Sequence, residues 1–482
     1  MSRHLNHVVA GVASILALAA TIAVDLSAQS ADGRQAMAAE TLTADATPTY
    51  YGVVQAALER NCVTCHSSTR VSLGGMIAPF ALTTYEDARR YARSIARAVA
   101  TDYMPPWDAD PQHAGTFKNE RYLSEEDKQA LIQWADAGAP MGEPSEAPTF
   151  VSSREVVAVQ EPFVDSEGRA WLNGVPETVI GFQSPVLVCA AVDDWQPQLP
   201  QRVLSGAFSE PRWIRATEYN TSPIVHHTVS SILGVGTPGR GPVVYPEGWG
   251  ILMLPDQYMS ISMHYHKEVG REYVDDTRGG ILFHEEGARI DYVVETELQP
   301  YSDFVIPAGD PNYMVQNTTH FDEDIYLLSM GPHAHYRGKA VRIELQRPDR
   351  EFRETLLWVP DYDFNWQFQY ELKEPYLVPA GSSMITTFWY DNSADNPYNP
   401  DPTVNVRYGA ATTDEMMNSR IYFARAKPLG LRVGDPIPQE IVDRARASDE
   451  RARRTAQDWE AASGNCVQTP ARGDTPRGVA SR

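Results

Sequence analysis

Ser329-Met330-Gly331-Pro332-His333-Ala334-His335-Tyr336-Arg337-Gly338-Lys339 decides how the larger part of the chain is read. Side chains alternate between the two faces of an extended segment, so His333 and His335 project from one side of a strand and converge on one point. Two imidazoles placed that way ask for a metal. Matching chemistry stands in three other places: the pair His226-His227, the triplet His264-Tyr265-His266, and the soft donors Met416 and Met417 in Asp414-Glu415-Met416-Met417-Asn418. Imidazole combined with thioether suits copper, Cu(I) above all, whereas magnesium and calcium take oxygen ligands. A lone histidine on a strand is more often a hydrogen-bonded core residue than a ligand, but eight of the twelve histidines fall between positions 226 and 335. Adjacent His226 and His227 face opposite ways on a regular strand, so both reach one ion only at a strand edge or a bulge.

The surroundings of these motifs read as β-structure. Short apolar or alternating runs between Gly, Pro, Asn and Asp punctuation predict strands at Val157 to Val159, Thr178 to Phe182, Pro185 to Val192, Met259 to Tyr265 and Asp324 to Met330. Many short strands with turn signals between them predict antiparallel sandwiches rather than a parallel α/β sheet. Two such sandwiches fit the span, at 156–300 and 301–435. Residues 141–155, with Pro, Ser and Glu, read as a linker. Gln439 to Ala461 is charged and helix-prone, so 436–482 is expected to be a polar surface helix and tail.

Ahead of the linker the character is helical. Tyr50 to Arg60 runs as a helix straight into Cys62-Val63-Thr64-Cys65-His66. Two thiols at that spacing can each form a thioether to a haem vinyl group, and the adjacent His66 then faces the iron, so the motif predicts covalently bound haem c. Met104 in Tyr103-Met104-Pro105-Pro106-Trp107 is the expected sixth ligand, on a stiff loop after a helix over residues 86 to 100; spacing leaves Met76 as a competitor. Ser124-Glu125-Glu126-Asp127 opens a last helix with a capping-box pattern. The layout over 48–140 resembles a small class I cytochrome c. Met-Pro-Pro-Trp followed by a helix ending Trp134-x-x-x-Gly138-x-Pro140 is similar to the cytochrome modules fused to certain bacterial copper proteins.

At 482 residues, 43% of them hydrophobic, the chain can bury more than one core. A formal net charge of −22 argues against nucleic acid as a partner, because phosphates would be repelled. Residues 1–28 read as a signal peptide, with Arg3, an apolar run from Val8 to Val24 and a small-residue site at Leu26-Ser27-Ala28. The expectation is a periplasmic or secreted protein, or one held by this run as an uncleaved membrane anchor. Residues 29–47 read as a flexible leader. Cys189 and Cys466 remain outside the haem motif, and in an oxidising compartment they either pair with each other or stay as separate thiols.

Ile224-Val225-His226-His227-Thr228, Ser262-Met263-His264-Tyr265, Pro332-His333-Ala334-His335-x-x-Gly338-Lys339 and Thr413-Asp414-Glu415-Met416-x-Asn418, taken in order, resemble the motifs of the type II copper, ascorbate-dependent monooxygenases. That family includes peptidylglycine α-hydroxylating monooxygenase and dopamine β-monooxygenase. The resemblance covers roughly residues 160 to 430. It implies two copper ions in two antiparallel, jelly-roll-like β-sandwich domains following the small all-α cytochrome c domain, the two sites facing each other across a solvent-filled cleft. By the same resemblance His226, His227 and His264 correspond to the ligands of the electron-transfer copper. His333, His335 and Met416 correspond to those of the copper that activates oxygen, and Asn418 and Arg420 lie toward the substrate. Where the peptide-hydroxylating members carry an arginine two residues before the His-x-His motif, this chain has Gly331. Arg420 stands where they carry a tyrosine.

The implied activity is hydroxylation of a C–H bond of a small organic substrate by O2. Inserting one oxygen atom consumes two electrons beyond those of the substrate bond. The fusion implies that these arrive through the haem from an external donor. The alternative is a non-catalytic electron-transfer or copper-binding subunit of a redox complex.

Overall fold

Strand Ile325–His333 carries the first histidine of the opening motif at its last position, and the strand does not continue to His335. The Glu415 carboxylate takes the backbone N–H groups of His335 and Arg337, at 2.8 and 2.6 Å. Those donors are thereby withdrawn from any ladder, and the chain turns. In the computed structural model, which describes residues 47–67, 78, 80–146, 162–191, 194–200, 202–222, 224–230, 232–237, 240–257, 260–267, 269–409, 411–460 and 467–468, this strand lies inside a four-stranded antiparallel sheet. Its neighbours are Asn418–Arg425 and Tyr370–Val378, and Glu295–Leu298 forms the far edge beside Asn418–Arg425. A second sheet of Tyr313–His320, Ser383–Tyr390, Gly338–Gln346 and Arg353–Val359 closes over it. Leu327, Met330, Val341, Ile343, Leu345, Phe388 and Ile421 fill the space between.

The preceding β-region is built the same way. One sheet orders Tyr292–Val293, Trp249–Met253, Arg212–Asn220, Arg278–Phe283, Thr178–Gly181 and Arg202–Ser205; the other orders Gly234–Gly236, Val225–Ser230, Ser260–His266 and Asp194–Trp195. Ile180, Ile214, Phe283, Val225, Ile261 and Tyr265 meet between them. The chain is therefore mainly β, as the turn-punctuated pattern predicts. Expected strands appear at Thr178–Gly181, Val186–Val188, Ser260–His266 and Ile325–His333. The pairing of Trp249 with Tyr292 is parallel, and Glu295–Leu298, assigned to the first sandwich by its position in the chain, is hydrogen-bonded into the second.

The two β-regions share a layer. Strands Ile325–His333 and Asn418–Arg425 turn Leu327, Met330, Ile421 and Phe423 into the second core, and Tyr326, Leu328, Tyr422 and Ala424 into the first. Gly234, at φ 80°, lies where any Cβ would run into the Tyr422 hydroxyl. Its lack of a side chain sets how closely the first region approaches this layer.

Residues 47–146 hold three of the four α-helices among the described residues: Gln55–Asn61, Tyr85–Ala100 and Glu125–Asp136. They pack around Val54, Leu58, Ile95, Leu131 and Trp134. Ser124 caps the third helix by accepting from the Asp127 N–H, as its pattern predicts. This region is keyed into the second sandwich. The fully buried Phe117 bridges to Leu372 and joins Trp107 and Tyr370 at ring distances of 6.0 and 5.5 Å. The Trp358 N–H donates to His113 Nε2 at 3.0 Å. The C-terminal helix, Gln439–Glu460, is less superficial than its composition suggests. Ile441, 1% exposed, joins Trp213, Leu252, Leu254 and Ile290, and Arg444 bonds Glu295 at 3.0 Å.

The signal peptide, Val157 to Val159, Met76 and Cys466 lie outside the described residues. The strand Val467–Gln468 pairs with Leu187–Val188, bringing the residue after Cys466 opposite the residue before Cys189.

Removing the Phe117 ring leaves a cavity where the helical region meets the second sandwich. Phe117→Ala is expected to destabilise the protein by about 3–5 kcal/mol in urea unfolding; a loss below about 1 kcal/mol would show that the two regions do not depend on this contact.

Candidate metal centre

A break in strand register creates the first histidine cluster. Strands Val225–Ser230 and Ser260–His266 pair His264 with His227, but the next pair is Tyr265 with Val225. His226 is thus the extra residue of a bulge, the circumstance that lets two consecutive side chains turn to one side. His226, His227 and His264 are 3%, 7% and 1% exposed. Their Nδ1 atoms converge: His226 to His227 at 3.2 Å and His264 to His227 at 3.3 Å.

One ring nitrogen carries at most one proton, so His227 Nδ1 cannot donate to both neighbours. Two imidazole nitrogens bound to one ion at about 2.0–2.1 Å stand roughly 3.3–3.6 Å apart in tetrahedral or trigonal geometry. The spacing of these two pairs therefore fits a shared metal, and each of the three histidines brings a ring nitrogen within 4.8 Å of the others. Burial, reinforced by the neighbouring imidazoles, holds His226 and His227 well below the usual histidine range. Both are neutral and able to act as ligands. His264 Nε2 faces the Asp194 carboxylate at 3.2 Å, which turns its Nδ1 into the cluster. His266 stays at the rim, 3.8 Å from Asp194 and with its side chain 45% exposed.

The second cluster is assembled by two loops. His333 ends its strand opposite Asn418, and its Nδ1 lies 2.5 Å from Gln367 Oε1. His335 Nδ1 lies 3.3 Å from the Asp414 carbonyl. Each bond occupies one ring nitrogen and leaves Nε2 for another partner. The buried His335 Nε2 has no hydrogen-bond partner among the described residues, as expected of a metal ligand. The rings stand 5.2 Å apart at 89°.

Met416 is 2% exposed. Its sulfur accepts from Asn418 Nδ2 at 3.2 Å, and Asn418 Oδ1 accepts from the Tyr408 hydroxyl at 3.1 Å. Asn418 is thus turned toward the methionine. Glu415 accepts N–H groups from His335, Arg337 and Met416, so one carboxylate ties the His-x-His turn to the methionine loop. Burial raises it to about 7 despite those bonds. Arg420 lies close enough to bear on the charge of His333, and its Nη1 reaches Thr296 Oγ1 at 3.4 Å. The space above Gly331 is filled by Gln369, which bonds Ser329 and the Arg420 carbonyl.

The clusters are in contact rather than separated by a solvent-filled cleft. The rings of His227 and His333 stand 5.4 Å apart. Phe364 stacks on His226 at 4.7 Å and reaches His264 and His335 at 5.9 and 6.3 Å. It comes from the loop Asp361–Gln367, which also supplies Gln367. Neither residue was expected at the site, since phenylalanine and glutamine carry no ligand signature. Asp194 was also missed, although it stands in a segment with no other mark of function.

In the helical region Cys62 and Cys65 are free, half-buried thiols. The His66 N–H bonds the Cys62 carbonyl at 2.9 Å. His66 Nδ1 lies 3.1 Å from the Phe80 carbonyl, leaving Nε2 for a ligand. Burial pushes the Cys62 thiol up to about 12, so it is protonated. Met104 is half-buried in the loop after helix Tyr85–Ala100. Unpaired thiols beside a tethered histidine are compatible with a covalent haem.

Residues 299–433 match the model of the copper type II ascorbate-dependent monooxygenase C-terminal domain. That stretch contains His333, His335 and Met416. Among individual proteins, the DBH-like monooxygenase protein 1 of Mus musculus is 28% identical over 212 residues, covering 40% of this chain and 33% of that protein. Its Homo sapiens counterpart is 27% identical over 165 residues, covering 30% and 26%. The chain thus spans a third or less of the length of these relatives. The major capsid protein P2 of bacteriophage PM2 superposes with a TM-score of 0.23 at 7% identity, over 51% of this chain and 96% of that one, a likeness too slight to bear on function.

Burial, partly offset by the Gln367 bond, brings His333 down to about 4 from an ordinary 6.5. In the metal-free protein the unfolded chain takes up this proton first, so the stabilisation is present above pH 6.5 and is lost as pH falls toward 4. Relative to His333→Gln, metal-free protein is expected to lose about 1.4 kcal/mol per pH unit across that window. Denaturant titrations in chelator check this, and parallel profiles would refute it.

Proposed function

We propose that this protein is an exported, periplasmic or secreted, copper- and haem-dependent monooxygenase that hydroxylates a C–H bond of a small organic substrate with O2. Its electrons are supplied by an external donor through haem c. One observation carries the reading: His226, His227 and His264 bring buried ring nitrogens together, the His333 ring stands 5.4 Å from that of His227, and His333, His335 and Met416 lie in the stretch that matches the monooxygenase C-terminal domain.

His226, His227 and His264 would hold one copper, and His333, His335 and Met416 the other. Copper bound there supplies one-electron reduction and oxygen activation, and thioether ligation favours Cu(I). The chain's own residues orient the site. Gln367 and the Asp414 carbonyl fix the two imidazoles, Asn418 holds the methionine sulfur, and Phe364 packs against His226, His264 and His335.

Haem c would be held by Cys62, Cys65, His66 and Met104. The packing of the helical region supports a role for it in this chemistry. Arg121, close to Cys65, lies over the Phe368 ring at 5.5 Å, and the residue before Phe368 is Gln367, bonded to His333. With Gln369 filling the space at Gly331, the structure offers no support for a peptide carboxylate clamp there. A Cys189–Cys466 disulfide would staple the C-terminal strand to Val186–Val188, a reading supported by their strand pairing.

The test is single turnover. Copper-loaded protein is fully reduced and mixed with O2, with and without pools of small organic compounds. Haem oxidation is followed by absorbance and Cu(II) by EPR. Substrate is expected to speed copper reoxidation, and Met416→Ala to abolish that acceleration with the haem spectrum intact. Cycling of haem alone, with copper indifferent to oxygen and substrate, would leave an electron-transfer protein instead.

A further inference from the structure

Asp194 stands at a point the histidine motifs do not explain. Its short strand, Asp194–Trp195, pairs with Ser260–His266 so that Asp194 lies opposite His266 and Trp195 opposite Tyr265. Residues two apart on a strand share a face, so the carboxylate reaches diagonally to His264. His264 Nε2 lies 3.2 and 3.3 Å from the two carboxylate oxygens. Imidazole has only two nitrogens. A carboxylate on Nε2 selects the tautomer with the proton there, leaving the Nδ1 lone pair for the metal and raising its donor strength.

The same carboxylate also accepts from the second sandwich. The Tyr336 hydroxyl donates to Asp194 Oδ2 at 3.4 Å, and Thr412 is a further side-chain partner. Tyr336 follows His335 directly, and Thr412 lies in the loop that leads to Met416. The Asp194 side chain is 19% exposed, so these contacts are made largely out of water, where they count for more than at a surface.

We propose that Asp194 is a positioning residue shared by the two clusters: it presents His264 Nδ1 to the first metal and, through Tyr336 and Thr412, holds the second cluster against the first. One carboxylate then serves both the first metal site and the contact between the clusters, by separate hydrogen bonds. The inference rests on the reading that His226, His227 and His264 bind copper.

Copper titration against a competing chelator, Cu(II) EPR and the Cu(II)–Cu(II) dipolar coupling test it without turnover. Asp194→Ala is expected to weaken one of the two coppers by about 10–100-fold and to change the EPR spectrum of that copper only. Asp194→Asn, which can still accept from Nε2–H, falls between Ala and the wild type; it also carries the test if the Ala variant does not fold. Tyr336→Phe combined with Thr412→Val keeps both affinities and broadens the copper–copper distance distribution. Wild-type affinity and spectra in both Asp194 variants would overturn the orienting role. An unchanged distance distribution in the double variant would overturn the shared one. If His226→Ala binds as much copper as the wild type, it is the assignment of the first copper site that fails.

Discussion

Strand Asn418–Arg425 is buried on both faces, and the relation between the two histidine clusters depends on that fact. Alternate side chains enter different cores, Ile421 and Phe423 the second, Tyr422 and Ala424 the first. A layer that serves two cores cannot slide relative to either without uncovering apolar surface, at about 25 cal/mol per Å² exposed. Met416 and Asn418 sit at the start of this strand, and His333 is paired to it. The second cluster is thereby referenced to the first sandwich as firmly as to its own. The contact of Tyr422 at Gly234 fixes the same distance from the other side.

The helical region enters the same frame through an unexpected element, the loop Asp361–Gln367. Phe364 packs on both clusters, Gln367 orients His333, and the Tyr362 hydroxyl bonds the Ala334 backbone between the two second-cluster histidines. Asp108, four residues after Met104, sits against Asp361 and Asp363 at the head of this loop. Burial and those two carboxylates raise it well above the ordinary aspartate range, against the pull of a hydrogen bond from the Asp363 backbone. The loop thus meets the helical region on one side and both sets of imidazoles on the other.

How much of this was legible in the sequence varied with how local the cause was. The spacing of His333 and His335, the soft donor Met416 and the need for an irregularity at His226-His227 could all be read, because ligand chemistry and strand periodicity are properties of short segments. Helix Tyr85–Ala100 and its neighbour capped by Ser124 were legible for the same reason. Asp194, Phe364 and Gln367 were not, since each acts through a partner tens or hundreds of positions away, and neither phenylalanine nor glutamine carries a ligand signature. The end of the strand at His333 was hidden because Glu415, eighty positions on, takes the N–H groups that would have continued it. The expected cleft was a statement about how two sandwiches are disposed, and no local pattern encodes that. Ile441 was concealed by its charged neighbours.

The bulge at His226 also resets the phase of its strand. Val225 points into the core from an odd position, whereas Thr228 and Ser230, at 0% and 3% exposure, are the buried residues beyond it. A sheet has a repeat of two, so one extra residue exchanges inside for outside along everything that follows. The histidine pair is therefore part of the reading frame of the fold. It can be lost by replacing either ring; deleting one of the two residues would close the bulge and leave a regular strand, with Thr228 and Ser230 on their present side but only one imidazole at the site.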